Sequence, residues 1–578
     1  MRVIPVVFLL LASAAHANPE QFDALLEDHW AWYLANNPVQ ATILGERAHD
    51  ERLNDLSLAG MDRQAAEARA LLARLDVIDR ATLDNDRQVS ADVLARLLRR
   101  QVEANGFPAR ARLFTNREGF HTVFGALPQR LPFFTAADYQ SYIARLEAFP
   151  AQVDQAIGTT RQTIRDGWTL PCEVLDGFEG SVRRVAEPIE TSRFLAPIMP
   201  RPQTMPQAEW AAMGVRAERA VARGVNPAYT RFADFFAKEY LPACRKEVGV
   251  SALRGGRDFY AWRARQETTT DLTPDAIHEI GLSEVARIRA EMEDVAKRAG
   301  FDTREAYIAH LRTDPQYYAT TPGELMREVA LATRIADGWM PRLFGKLPRQ
   351  PYTIREIPAE TAPYTTTAYY QPGSLAAGAP GVYFVNTSKL NERPLFEVPA
   401  LSIHEAVPGH HHQIALAQEL DLPPFRRHAA FFTGFVEGWG LYSERLGIEM
   451  GMYDTPAKDM GRLSYEMWRA ARLVVDTGLH HKGWSRQQAV DYMLDNTALA
   501  RANIEAEVNR YIAWPGQALA YKIGELKIRE LRKAAEQALG TRFDIRAFHD
   551  RLLESGSIPL DVLETKMRAW IAEEAARS

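Results

Sequence analysis

The chain is predicted to be mainly α-helical with one small sheet, and three observations carry that expectation. Long Leu- and Ala-rich stretches with helical periodicity occupy residues 20 to 105, Arg87 to Glu103 being a clear case. Helix-start signals recur downstream. Thr273-Pro-Asp offers an N-cap, a proline at the first helical position and an early acid, with Gly300 as the stop. Ser485-Arg-Gln-Gln488 has the form of a capping box. Only Tyr352 to Ile357 and Gly381 to Val385 read as strands, the second rich in β-branched and aromatic residues. A Pro- and Arg-rich irregular stretch from about Arg184 to Gln207 suits a crossover or lid. The expected organisation is a leader over 1–17, a helical N-terminal lobe over 18–265 and a second lobe over 266–578, flanking a cleft.

Composition narrows the class. A chain of 578 residues accommodates two or three domains, or one large two-lobed body. Hydrophobic content of 46% with 25% charged residues is that of a globular protein. A net charge of -5 gives no reason to expect nucleic acid or an anionic membrane as partner. Met1-Arg2, the apolar run Val3 to Ala12 and Ser13-Ala-Ala-His-Ala17 form a secretory leader with expected cleavage after Ala17. The cleavage point carries no cysteine, so no lipid anchor is expected, and no later apolar stretch is long enough to span a bilayer. Export to the periplasm or the medium follows. Cys172 and Cys244 are the only two cysteines, and their spacing leaves open whether they are bridged. Monomer and homodimer are equally compatible with the sequence.

The chemistry concentrates in Leu401-Ser-Ile-His-Glu-Ala-Val-Pro-Gly-His-His-His-Gln413, where four of the 14 histidines fall within nine residues. In the helical signature H-E-x-x-H, imidazoles at i and i+4 share a face and bind zinc, with the Glu as general base. Here i+4 is Pro408, which cannot bind a metal. On an unbroken helix His410 would lie roughly 120° around from His404, and His411 would face the same way but about 10 Å further along. Pro408 and Gly409 favour a bulge that absorbs two residues and returns His410 to the face of His404. His410 is therefore the first choice as second ligand and His411 the alternative, with a proline-kinked helix of solvated histidines as the plain reading.

A third ligand is found in Phe431-Phe-Thr-Gly-Phe-Val-Glu-Gly-Trp-Gly-Leu-Tyr-Ser-Glu444. Glu437 follows His410 at a distance that leaves room for a turn and a returning helix. Two His and one Glu with an open fourth position is a recognised catalytic zinc set. Glu444, two helical turns further on, is placed to hold a ligating imidazole. Both acids sit among Phe435, Val436, Trp439, Leu441 and Tyr442, and carboxylates in apolar company need partners.

HEAVPGHHHQ followed by FVEGWGLYSE resembles the bacterial family known as domain of unknown function 885, whose members are regarded as zinc-dependent peptidases. The FVE segment is also similar to the third-ligand helix of thimet-oligopeptidase-like enzymes. DTGLH from Asp476 to His480, RYIAWPGQALAYKIG from Arg510 to Gly524 and GVYFVN from Gly381 to Asn386 extend the first resemblance to roughly residues 260 to 530. The resemblance implies a zincin-like metallopeptidase of the gluzincin type, a Zn²⁺ cofactor and a peptide substrate. It further implies that the Gly381 strand, with Tyr383 and Asn386, is an edge that pairs with substrate backbone. The same strand also reads as an ordinary core strand after a glycine-rich loop.

Two further segments have functional readings. Asp476 and His480 are an i,i+4 pair if the helix continues, and an aspartate-oriented imidazole can stabilise an oxyanion; a structural cap is the plain alternative. In Arg510 to Lys522, Tyr521 is the expected donor to an oxyanion and Tyr511 its rival, while Arg510 or Lys522 is placed to hold a substrate carboxylate. The expected activity is peptide hydrolysis, with His404, His410 and Glu437 holding zinc and Glu405 as base. An exported metal-dependent amidase or esterase, or a non-catalytic peptide-binding relative, are the alternatives.

Overall fold

The structure is a computed structural model that describes residues 19–359, 362, 365–374 and 378–577. The expected leader lies outside the described residues.

The chain folds as a mainly helical protein with one small sheet. The helix signals act where the sequence places them. Thr273 accepts from the Ala276 amide and starts Pro274–Arg298, and Gly300 leaves it with φ +85°. Ser485 and Gln488 close a capping box on Arg486–Asn496. From Arg184 to Pro206 the backbone is largely irregular, interrupted by short turns of 3₁₀ helix at Ile189–Thr191 and Ala196–Ile198.

The sheet has three strands, β1 (Tyr352–Glu356), β2 (Ala368–Gln371) and β3 (Gly381–Val385), in the order β1-β3-β2. β1 pairs with β3 in parallel, Ile354 opposite Tyr383, and β2 pairs with it antiparallel, Tyr370 opposite Tyr383. β2 escaped the sequence because Ala368-Tyr-Tyr-Gln371 shows no alternation of apolar and polar residues. β3 is central, so the expected edge role of Gly381, Tyr383 and Asn386 does not hold: both hydrogen-bonding sides of that strand are taken. Tyr383 is fully buried, and Asn386 turns its Nδ2 toward the carbonyls of Ala362, Thr365 and Thr366. A Cβ at Gly381 would meet the Tyr370 hydroxyl and His411 Nδ1, so a side chain there would have to displace both.

Two apolar cores run through the molecule. One gathers Phe22, Leu94 and Leu98 with Phe435, Trp439 and Leu560; the other gathers Tyr142, Phe149 and Phe232 with Ile288, Met467 and Val474. Each takes residues from both sides of residue 265, which itself lies inside the helix Gly256–Thr268. Chain order and packing therefore do not divide at the same place. Cys172 and Cys244 are joined by a disulfide, closing a loop of sequence separation 72.

Two helices fix the neighbourhood of the candidate site. In Thr433–Glu449 and Ala520–Leu539, Gly434, Gly438 and Gly524 bring the backbones together: a Cβ on Gly438 would lie 2.5 Å from the Gly524 Cα. That approach holds Tyr521, near the start of the second helix, against the helix that carries Glu437.

Candidate metal centre

The histidine cluster is split between two helices. Val398–Glu405 ends at Glu405, and His410–Glu419 begins after four intervening residues. The break at Ala406-Val407-Pro408-Gly409 brings Gly409 so close to the preceding turn that a Cβ there would meet the His404 carbonyl oxygen at 2.0 Å. Glycine is required at that step. Trp439 clamps the break by donating to the Pro408 carbonyl, 2.8 Å.

The break sets His410 beside His404, with ring centroids 4.6 Å apart. Glu437 meets both: its Oε2 lies 3.6 Å from His404 Nε2 and 3.5 Å from His410 Nε2. Among the described residues these three side chains form a group with one candidate ligand atom each, all within 4.8 Å of one another. The His410 and Glu437 side chains keep 12% and 17% of their surface exposed, so the group borders solvent. Glu405 follows His404 directly and is buried.

Behind the group, His404 donates from Nδ1 to Glu444 Oε1 at 2.8 Å. Arg469 Nη2 lies 3.2 Å from the same oxygen. Gly440 makes room for the imidazole, since a Cβ there would be 2.7 Å from His404 Cε1. The electrostatics are those of a tight donor set. Burial alone would lower the His404 pKa, but Glu437 and Glu444 override it and hold it at about 9. Burial pushes the Glu437 carboxyl up, and the two imidazoles outweigh that and hold it well below its ordinary value.

The remaining candidates are placed as follows. His411 points away, accepting from the Tyr370 hydroxyl at Nδ1 (3.0 Å) and donating to the Gln350 carbonyl from Nε2 (3.1 Å), which corrects its reading as an alternative ligand. His480 is fully buried, taking the Val250 amide at Nδ1 and donating to the Tyr511 carbonyl. Asp476 instead accepts from the Tyr260 hydroxyl (2.6 Å) and the Gly516 amide (3.0 Å), so the expected Asp476–His480 pair is absent and His480 is a packing residue. Tyr511 spends its hydroxyl on Trp468, Arg472 and Glu507. Arg510 is held by Glu507 and Gln517. Lys522 is fully enclosed, its Nζ 2.8–2.9 Å from Glu284, Glu466 and Glu525. Tyr511, Arg510 and Lys522 are therefore structural, because a charge or hydroxyl already satisfied in the interior has nothing left to offer a substrate. Tyr521 alone of that segment remains beside the group: burial and then Glu437 raise its phenol pKa, and the Arg472 guanidinium lies 4.4 Å over its ring.

Sequence reasoning missed Arg469 and Arg472. Both sit on the helix Pro456–Thr477, where Arg462, Glu466, Arg469, Arg472 and Asp476 recur at helical spacing and are all buried. Such a row ordinarily marks a solvated face. The signal against that is the rest of the helix: Leu463, Met467, Ala470 and Val474 leave it no polar face to spare.

A family model described as "Bacterial protein of unknown function (DUF885)" matches residues 38–567. The chain belongs to this family. Among solved structures, this DUF885 chain is similar to a protein from Colwellia psychrerythraea described as a "putative lipoprotein", with 28% identity and a TM-score of 0.87, covering 96% of this chain and 100% of that one. A protein of unknown function from Shewanella oneidensis has the same fold, with 20% identity, a TM-score of 0.73 and the same coverage. No curated protein matches.

Proposed function

We propose that this DUF885 protein is an exported zinc-dependent peptidase of the gluzincin type, with a zincin-like architecture in which two helical lobes flank an active-site cleft. The observation that carries the proposal is the convergence of His404, His410 and Glu437, with Glu405 next in the chain. Two imidazoles and one carboxylate are a donor set for zinc that keeps a fourth position open. A tetrahedral ion with bonds near 2.1 Å spaces its donors about 3.4 Å apart. The His404 and His410 Nε2 atoms lie 3.6 and 3.5 Å from Glu437 Oε2, which suits such an ion.

Bound there, zinc would supply Lewis acidity toward a substrate carbonyl and lower the pKa of a water molecule. The chain's own residues supply the rest. Glu405 takes the proton of the attacking water and passes it to the leaving amine. Glu444, itself held by Arg469, fixes the tautomer and orientation of His404. Tyr521 donates to the carbonyl oxygen as negative charge develops on it.

Export is supported by the leader-like N-terminus, by the Cys172–Cys244 bridge, and by the lipoprotein description of the Colwellia relative. Among the described residues no helix is long and apolar enough to cross a membrane. The peptide substrate rests on the resemblance to a family regarded as zinc-dependent peptidases and to thimet-oligopeptidase-like enzymes. The test is metal analysis of purified protein together with turnover of a mixed-peptide library. About one zinc per chain, with peptide cleavage that vanishes in Glu405→Gln while metal stays, is the expected result. Metal-free protein, or cleavage undiminished in the variant, would sink the proposal.

A further inference from the structure

A second pocket lies where the Gly256–Thr268 helix meets the turn Ala513-Trp514-Pro515, and it shares no residue with the metal group. It encloses about 270 Å³. Phe259, Trp262 and Trp514 give it flat apolar walls, and Arg110, Arg112 and Arg263 contribute charge. Two of these guanidiniums are already matched. Arg110 pairs with Asp62, and Arg263 pairs with Glu267 and donates to the Pro515 carbonyl.

Arg112 is different. Among the described residues its side chain has no hydrogen bond and no ion pair, and its Nη1 is shut off from solvent without a partner. The charged and titratable groups within reach offer no carboxylate: the Tyr240 phenol and the Arg263 guanidinium act on Arg112, and Arg112 in turn acts on Arg245 and His480. Arg245 donates from Nε and Nη1 to backbone carbonyls of Thr169, Glu247 and Gly249, its Nη2 has no partner among the described residues, and it brings no negative charge to Arg112. Arg112 is therefore a partly buried guanidinium at the pocket with no counter-charge, in a place where partial desolvation makes that costly.

A lone guanidinium offers a planar fork that matches a carboxylate with two parallel hydrogen bonds. The rings around it match an aromatic or apolar body. We propose that this pocket binds a monocarboxylate carried on an aromatic or apolar body, with Arg112 as its counter-ion and Trp262 and Trp514 as its walls. The carboxylate comes either from a free aromatic acid or from the C-terminus of a short peptide ending in an apolar residue. The proposal is independent of the metal centre and stands if zinc does not bind.

Calorimetry and tryptophan fluorescence on the purified protein, with phenylacetate, N-acetylphenylalanine and neutral phenylacetamide as probes, test it. At least one of the two acids is expected to bind, and the amide about tenfold or more weaker, because it lacks the charge. The tighter of the two acids identifies the source. Arg112→Met should abolish acid binding, and Trp514→Ala should weaken it. Arg112→Met should also unfold at higher urea than the parent, since it removes an unpaired, partly buried cation; an arginine with a purely structural role would have the opposite effect. Equal binding of acid and amide, acid binding that survives Arg112→Met, no binding at millimolar concentration, or a destabilised Arg112→Met would each overturn the assignment.

Discussion

His404 Nδ1 and Glu444 Oε1 lie 2.8 Å apart in an environment where both side chains are almost completely buried. Their contact leaves Nε2 as the nitrogen that faces Glu437 and His410. The orientation of the candidate ligand is thus decided by a residue on a different helix, and that helix also supplies Glu437.

Glu444→Gln keeps the size of the side chain but removes its charge. Zinc affinity should fall about 10- to 100-fold, as is usual when the partner of a ligating imidazole is altered. Competition against a chromogenic chelator measures it, and an unchanged affinity would mean that Glu444 only packs.

Gly440→Ala puts a methyl group where the His404 ring sits, 2.7 Å from Cε1. The ring or the helix has to move, at a cost of about 1–3 kcal/mol in stability. Metal retention should drop while the circular dichroism spectrum stays helical. Full metal content in this variant would show that the imidazole is not confined as described.

Tyr521→Phe removes one hydroxyl with little change in packing. If that hydroxyl stabilises charge in the transition state, kcat should fall roughly 10²-fold with KM little changed. A proportional change in KM alone would make Tyr521 a binding residue, and no change at all would return it to packing.

Burial raises the Asp476 carboxyl to about 7, against the weaker opposing effects of Tyr260 and Gly516. A folded-state pKa above the unfolded value means that the folded chain holds the proton longer. The associated stability is present below about pH 4 and is lost as pH rises through 7. Asp476→Asn retains an acceptor for Tyr260 and Gly516 and never ionises. Relative to the parent, its unfolding free energy in urea should therefore rise by roughly 2–4 kcal/mol between pH 4 and 8. Parallel stability curves for the two proteins over that range would refute the assignment.

The Cys172–Cys244 bridge closes a long loop, and cross-links of that span stabilise by about 4 kcal/mol through the unfolded chain. Cys172→Ser with Cys244→Ser, or reduction with dithiothreitol, should lower the urea midpoint. A midpoint insensitive to reductant would mean the bridge contributes nothing to stability.

Much of this architecture was legible in the residues alone. Thr273-Pro274, Ser485 and Gly300 act through local capping, which depends on a few consecutive residues and survives any tertiary context. The grouping of His404, His410 and Glu437 was legible for a related reason. Pro408-Gly409 interrupts a helix wherever it stands, and a glutamate among Phe435, Val436 and Trp439 calls for a buried partner.

The rest was decided only in three dimensions. Nothing in Gly381 to Val385 distinguishes a central strand from an edge, because that depends on whether Ala368–Gln371 and Tyr352–Glu356 arrive on its two sides. Nothing in Arg510, Tyr511, Lys522 or His480 says whether a partner is already waiting. Glu507 holds Arg510 and Tyr511 from their own helix, while Lys522 and His480 are settled by Glu284, Glu466 and Val250, which the fold brings in from distant parts of the chain. Sequence by itself determined the mainly helical class, the ends of the Thr273 and Ser485 helices and the grouping of His404, His410 and Glu437. Tertiary structure determined which polar groups remain free to act, since burial makes every unpaired charge costly and so consumes most of them in pairs.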